Sequence, residues 1–151
     1  MKHSKGFTLV ELMIAVAILA VIAAIAIPAY EGYIRESRLG AMRMNLDTLR
    51  IAVEAFRLDD PNGSYKPGAA ASYAYDVDTS TTIQSNYGWA PEGGDKYAYT
   101  VTPTATTYSL QATLKPGGLP WVVCDRDPAK TPVFKCCDGK TGTPAASCTR
   151  P

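Results

Sequence analysis

The side chains in this 151-residue sequence best suited to chemistry are four cysteines, a glutamate set in an apolar run, and one histidine. Cys124, Cys136, Cys137 and Cys148 all fall within the last 28 residues. In an exported, loop-rich segment an even count of this kind reads as two disulfides. Three connectivities are open, and the one containing a vicinal Cys136–Cys137 bridge is disfavoured because it strains the backbone. Cys124 then joins either Cys136 or Cys137, and Cys148 takes the other. A bridge closing a loop of this size is worth about 3 kcal/mol in the chain-entropy model. A four-thiolate zinc site is the competing chemistry. It lacks the C-x₂-C pair such sites use, and an oxidising compartment favours disulfides.

Other candidate chemistry is incomplete. Gly139-Lys140-Thr141 imitates the end of a phosphate-binding loop, but Phe134 stands where the leading glycine belongs, and no strand-to-helix context follows. Asp76-Val-Asp78 offers two carboxylates for calcium without the remaining loop ligands or a distal glutamate. Asn62-Gly63-Ser64 fits a glycosylation sequon, a pattern common by chance. No constellation for a catalysed reaction emerges, so the expectation is a protein that is not an enzyme and carries no cofactor or metal.

Glu11 is the one charge in an otherwise apolar stretch from Phe7 to Ile27, closed by Pro28. As a helix the stretch would span roughly 30 Å, the thickness of a bilayer's hydrocarbon core. The polar leader before it carries Lys2 and Lys5, which hold that end on the cytoplasmic side while the remainder crosses. A lone carboxylate in hydrocarbon costs at least about 2.5 kcal/mol, so Glu11 must either reach the headgroups or meet a cation. An ordinary secretory signal with an Ala24-Ile25-Ala26 cleavage site is the alternative. Against it stand the length of the run and the charge inside it.

Beyond Pro28, Tyr30, Ile34, Ala41, Met42, Leu46, Leu49, Val53 and Phe56 recur at helical spacing. Arg35, Glu36, Arg43, Asp47, Arg50, Glu54 and Arg57 fill the other faces, which predicts an amphipathic helix to about Leu58. Pro28 should kink or loosen it, and Asp59-Asp60-Pro61-Asn62-Gly63 should end it. Residues 59–95 read as a long irregular loop pinned by its aromatics, with room for a short strand. From Lys96, Tyr97, Tyr99 and Val101 and then Tyr108, Leu110, Ala112 and Leu114 alternate with polar residues, the period of half-buried strands. Pro120–Cys124 and a short Thr131–Cys136 segment complete an expected antiparallel sheet of about four strands. The fold class is α+β: a long N-terminal helix, its second half packed on that sheet, with a disulfide-closed C-terminal region. Charge is uneven along the head. Residues 59–95 hold six acids and one lysine, and residues 115–151 hold six bases and three acids. Such faces could meet between stacked subunits, setting register more than affinity.

Lys5-Gly6-Phe7-Thr8-Leu9-Val10-Glu11, with the apolar run, Pro28 and Tyr30 behind it, resembles the processing motif of type IV prepilins and the related pseudopilins. The resemblance implies removal of residues 1–6 by a prepilin peptidase cutting between Gly6 and Phe7, and N-methylation of Phe7. It also implies that Glu11 faces the Phe7 amine of a neighbouring subunit. The domains are then the leader 1–6, a filament-core helix 7–28 and an amphipathic half 29–58. The head, 59–151, comprises a loop 59–95, a β-meander 96–137 and a disulfide region 124–148. His3 leaves with the leader, which removes histidine catalysis and ligation from the mature chain. Mature chains hold 13 basic against 14 acidic side chains once Lys2 and Lys5 are gone.

The implied function is a structural subunit of a type IV pilus serving adhesion, twitching motility or DNA uptake. Such a subunit spans the inner membrane once with its head in the periplasm, and is extracellular after assembly. Its implied partners are other subunits in a homo-oligomeric filament, the peptidase and the inner-membrane assembly machinery. Two alternatives stand beside it. One is a minor pilin that binds DNA or a surface through Lys115, Arg126, Lys130, Lys135, Lys140 and Arg150 near Trp121 and Phe134. The other is a pseudopilin of a type II secretion system.

Overall fold

The computed structural model describes residues 7–76, 80–93, 96–115 and 119–139. The leader with Gly6, Asp78, the Pro116-Gly117-Gly118 turn, Lys140, Cys148 and Arg150 lie outside the described residues. One helix, α1 (Leu9–Asp59), dominates the order of elements and runs through Pro28 without interruption. By its internal contacts the chain divides into two units, residues 1–37 and 38–151.

The described part of the first unit, from residue 7, is helix from Leu9 onward. Its described apolar side chains are exposed, apart from half-buried Ala23 and Ile34, and no described residue in it is buried. Leucine, isoleucine, valine and alanine recur with no polar face, which is the pattern of a helix whose surroundings are apolar all round.

The second unit holds the core. Leu39, Met42, Leu46, Leu49 and Val53 are buried from the helix, at alternating spacings of three and four. This is the stripe that a 3.6-residue period brings to one face. They cluster with Tyr97, Tyr99 and Val101 of β3 (Tyr97–Pro103), and with Tyr108, Leu110 and Ala112 of β4 (Tyr108–Leu114). Val122 and Cys124 of β5 (Trp121–Arg126) join the same cluster. Leu114, although in phase, is only half-buried.

The α+β class holds, and the sheet is wider than the alternating segments alone suggest. Among the described residues, six antiparallel strands run in the order β2-β1-β3-β4-β5-β6. The additional two, β1 (Tyr73–Asp76) and β2 (Ser80–Thr81), come from the segment read as irregular loop, followed by the short α2 (Thr82–Tyr87). β1 adds to the edge of β3, with Tyr73 opposite Val101 and Tyr75 opposite Tyr99. Strands of four and two residues are too short to display a period of two. What marks β1 is the burial of Tyr73 in the common core, which Tyr87 of α2 joins.

The last strand also differs from expectation. β6 spans Phe134–Gly139 instead of ending at Cys136, because its ladder with β5 starts at Arg126–Phe134 and continues to Trp121–Gly139. Gly139 matches its partner: a Cβ there would come within 2.2 Å of the Trp121 indole. Only glycine admits the ring to that cross-strand position.

Candidate functional site at the helix start and the head that follows it

Helix α1 begins with its own cap. The Thr8 carbonyl accepts the first intrahelical bond from the Leu12 N–H at 3.3 Å. Thr8 Oγ1 accepts from the Glu11 N–H at 3.2 Å, and the Thr8 N–H donates back to Glu11 Oε2 at 2.9 Å. This reciprocal arrangement is a capping box, which satisfies two of the four amides a helix start leaves open. The Thr8 hydroxyl also donates to Glu11 Oε2 at 2.7 Å. All three contacts fall on one carboxylate oxygen and the Glu11 amide. Glu11 Oε1 has no hydrogen-bond partner among the described residues. The sequence signal for Thr8 was the T-x-x-E spacing ahead of an apolar run, which attention to Glu11 as a charge left unread.

Phe7 stands beside this cap and is almost fully exposed. The site therefore presents an apolar N-terminal ring, a carboxylate oriented by its neighbour, and one open acceptor oxygen. Chemically it can take a cation or a further hydrogen-bond donor at Oε1. Sixteen residues of apolar helix, Leu12 to Ile27, follow it, exposed apart from half-buried Ala23.

A second polar cluster lies in the head, where sequence reading found only surface charge. The Tyr65 and Tyr108 hydroxyls donate to the two oxygens of Glu54, each at 2.9 Å. Arg126 Nε pairs with the same carboxylate at 3.1 Å. Arg57 donates to the Tyr65 hydroxyl and to the Gly63 carbonyl, both at 2.9 Å. The guanidinium groups of Arg57 and Arg126 also lie over the Tyr65 ring, within cation–π range. Burial, with the Glu54 contact behind it, pushes the Tyr65 and Tyr108 phenols up from their ordinary range. Buried Asn45 donates to the Tyr99 hydroxyl at 2.8 Å, and Trp89 Nε1 donates to Thr48 Oγ1 at 2.9 Å. These bonds pin Tyr65, Trp89 and Tyr99 to the helix. No spacing rule pairs a helix glutamate with a strand arginine 72 positions on, so the cluster was invisible before folding.

Cys124 and Cys136 face each other across β5 and β6 and form a disulfide. Cys137 is disulfide-bonded as well. The register selects between the two pairings left open by sequence: Cys124 sits opposite Cys136, and Cys137 sits opposite Val123.

The described residues do not assemble the cation–aromatic surface considered for nucleic acid. Arg126 is held by Glu54 and Lys130 by Asp127, while Trp121 is buried. The Phe134 ring is covered by Arg50 of α1 at 4.5 Å. Among the described residues, no group of three or more His, Cys, Asp or Glu side chains could hold a metal.

Comparison with known proteins bears on the whole chain. Residues 1–27 match a family described as the prokaryotic N-terminal methylation motif. A type IV major fimbrial protein, FimA of Dichelobacter nodosus, is 34% identical over 125 residues, covering 78% of this chain and 80% of that protein. The chain belongs to the type IV pilin family. Another FimA of Dichelobacter nodosus is 48% identical over 59 residues, where this pilin spans 38% of the relative's length. The type IV major pilin protein PilA of Myxococcus xanthus is 32% identical over 103 residues, 68% of this pilin and 39% of that relative. No solved structure matches the chain.

Proposed function

We propose that this pilin is a structural subunit of a type IV pilus, built into a filament through residues 7–28. The observation that carries the reading is the exposed apolar helix headed by Glu11, whose Oε1 is open while Oε2 is held by Thr8. Family membership and the names of relatives as major pilins and fimbrial proteins support it. Under this reading a prepilin peptidase cuts between Gly6 and Phe7, and the new Phe7 amine is methylated. The open oxygen of Glu11 then receives the Phe7 amine of a neighbouring subunit. In a dry helix core an unpaired carboxylate is costly, so a subunit settles where that pair forms. Neighbouring helices replace lipid tails, and moving from bilayer to filament sacrifices little apolar burial.

The remaining assignments follow from the same reading. Unassembled subunits span the inner membrane once, with the head in the periplasm, and engage the inner-membrane assembly machinery. Assembled subunits are extracellular. Pro28 closes the core segment, residues 59–151 form the filament's outer surface, and Cys137 pairs with Cys148. The chain has a structural role without catalysis. Glu11→Val tests the assignment: membrane insertion should persist and filament yield should fall at least tenfold. Normal yield would remove Glu11 from assembly. Intact mass of sheared filaments should correspond to a chain beginning at methylated Phe7.

A further inference from the structure

Two tyrosines stand just past the point where the exposed apolar run ends. Tyr30 and Tyr33 are 66% and 73% exposed on the continuous helix, three and six residues beyond Ile27. Their Cα atoms therefore lie about 4.5 and 9 Å further along the axis. Neither hydroxyl makes a hydrogen bond among the described residues. Arg35 follows, exposed, and it forms no ion pair among the described residues, even with Glu31 one turn before it.

In water, two bare phenol rings gain nothing from this placement. At a bilayer boundary they gain on both ends, the ring against acyl chains and the hydroxyl against ester or phosphate oxygens. The depths agree. If Phe7–Ile27 fills the ~30 Å hydrocarbon core, the next 5–7 Å or so on each side is headgroup layer. Helical side chains lean toward the helix N-terminus, here back toward the membrane, so rings rooted at 30 and 33 fall within that layer. Arg35 sits two residues further out, and its long side chain leans the same way. A guanidinium fork matches phosphate oxygens two at a time.

We propose that Tyr30, Tyr33 and Arg35 form a collar for phospholipid headgroups that sets the depth of the unassembled subunit in the outward-facing leaflet. The ligand is a glycerophospholipid, met through its ester carbonyls by the two phenols and through its phosphate by Arg35. This inference rests on residues 7–27 spanning the bilayer, and not on filament assembly.

The test uses the full chain, one per nanodisc, in phosphatidylethanolamine alone and mixed with phosphatidylglycerol. Amide hydrogen exchange of residues 29–36 is read by mass spectrometry. Replacing Tyr30→Ala and Tyr33→Ala together should speed exchange about tenfold in both lipids (~1.4 kcal/mol). Arg35→Gln should speed it in both lipids, since both carry the phosphate, and by about fivefold in the mixed discs, as expected for one basic side chain near an anionic surface. Exchange unchanged in every variant overturns the collar. Protection that appears only when several chains share a disc also overturns it, by assigning this face to a second copy. A chain that never enters the discs would instead strike the reading of residues 7–27 as a membrane span.

Discussion

The two halves of α1 are both rich in apolar residues and use them in opposite ways. From Arg38 to Asp59 the buried side chains keep a spacing of three and four, while Arg43, Asp47 and Arg50 occupy exposed positions. From Phe7 to Ile27 no polar face exists and no side chain is buried. A stripe can be satisfied by one partner surface, and the head supplies it in the same chain. A helix apolar all round needs an apolar solvent, which only lipid or other helices provide. The difference teaches that periodicity carries information about where a helix finds its cover as well as about whether it forms.

Substitutions of the same kind in the two halves should separate these roles. The largest effect is expected from Leu46→Ala, a fully buried position. It should lower the unfolding free energy of the chain by roughly 2–5 kcal/mol in a denaturant titration, through lost transfer energy and the cavity left behind. Replacing Cys124 and Cys136 together by alanine should cost about 3 kcal/mol, since the bridge closes a 12-residue separation. A loss under about 1 kcal/mol would mean that the β5–β6 ladder alone holds that edge.

Alkaline pH should act on the head half through its buried phenols. Burial pushes the Tyr99 hydroxyl up to about 12, and Tyr87 and Tyr108 are also raised by burial. A phenol whose folded value lies above its unfolded value of about 10 contributes stability that is intact below pH 10. That contribution should be lost as pH rises through 12, by roughly 2 kcal/mol for Tyr99 alone. Phenolate absorbance rising together with unfolding would bear this out, and full titration near pH 10 without unfolding would contradict it. The smallest effect is expected in the other half. Ile18→Ala should change head stability by less than about 0.5 kcal/mol, because Ile18 is exposed and touches no core residue. Its consequence should appear only in membrane retention and filament yield.

Much of this protein was legible before folding because the signals were local. An unbroken apolar run, one glutamate in it and the glycine–phenylalanine step ahead of it need no tertiary information. The strands β3 and β4 were equally plain, since Tyr97–Tyr99–Val101 and Tyr108–Leu110–Ala112 alternate for long enough to declare one buried face. Legibility failed where elements were short or partners distant. β1 and β2 hide among alanine, serine and threonine; β1 forms because β3 offers an edge and the core takes up Tyr73, and β2 pairs with β1. The Glu54 carboxylate looked like one more charge on a solvated helix face. Folding surrounds it with Tyr65, Tyr108 and Arg126, drawn from a loop and two strands.

The cysteines mark the boundary between the two kinds of information. Sequence alone pointed to cross-linking of the C-terminal segment, because four cysteines gathered in one loop-rich stretch without metal-ligand spacing read as disulfides. It determined the all-round apolar character of residues 7–27 and the amphipathic stripe behind them, because both depend on hydrophobicity at a fixed helical period. Tertiary structure decided that Cys124 meets Cys136, because the β5–β6 register places those two directly opposite each other. It also decided that Tyr65 is tied to helix and sheet, because the carboxylate, phenol and guanidinium groups around it come together only once helix, loop and sheet are packed.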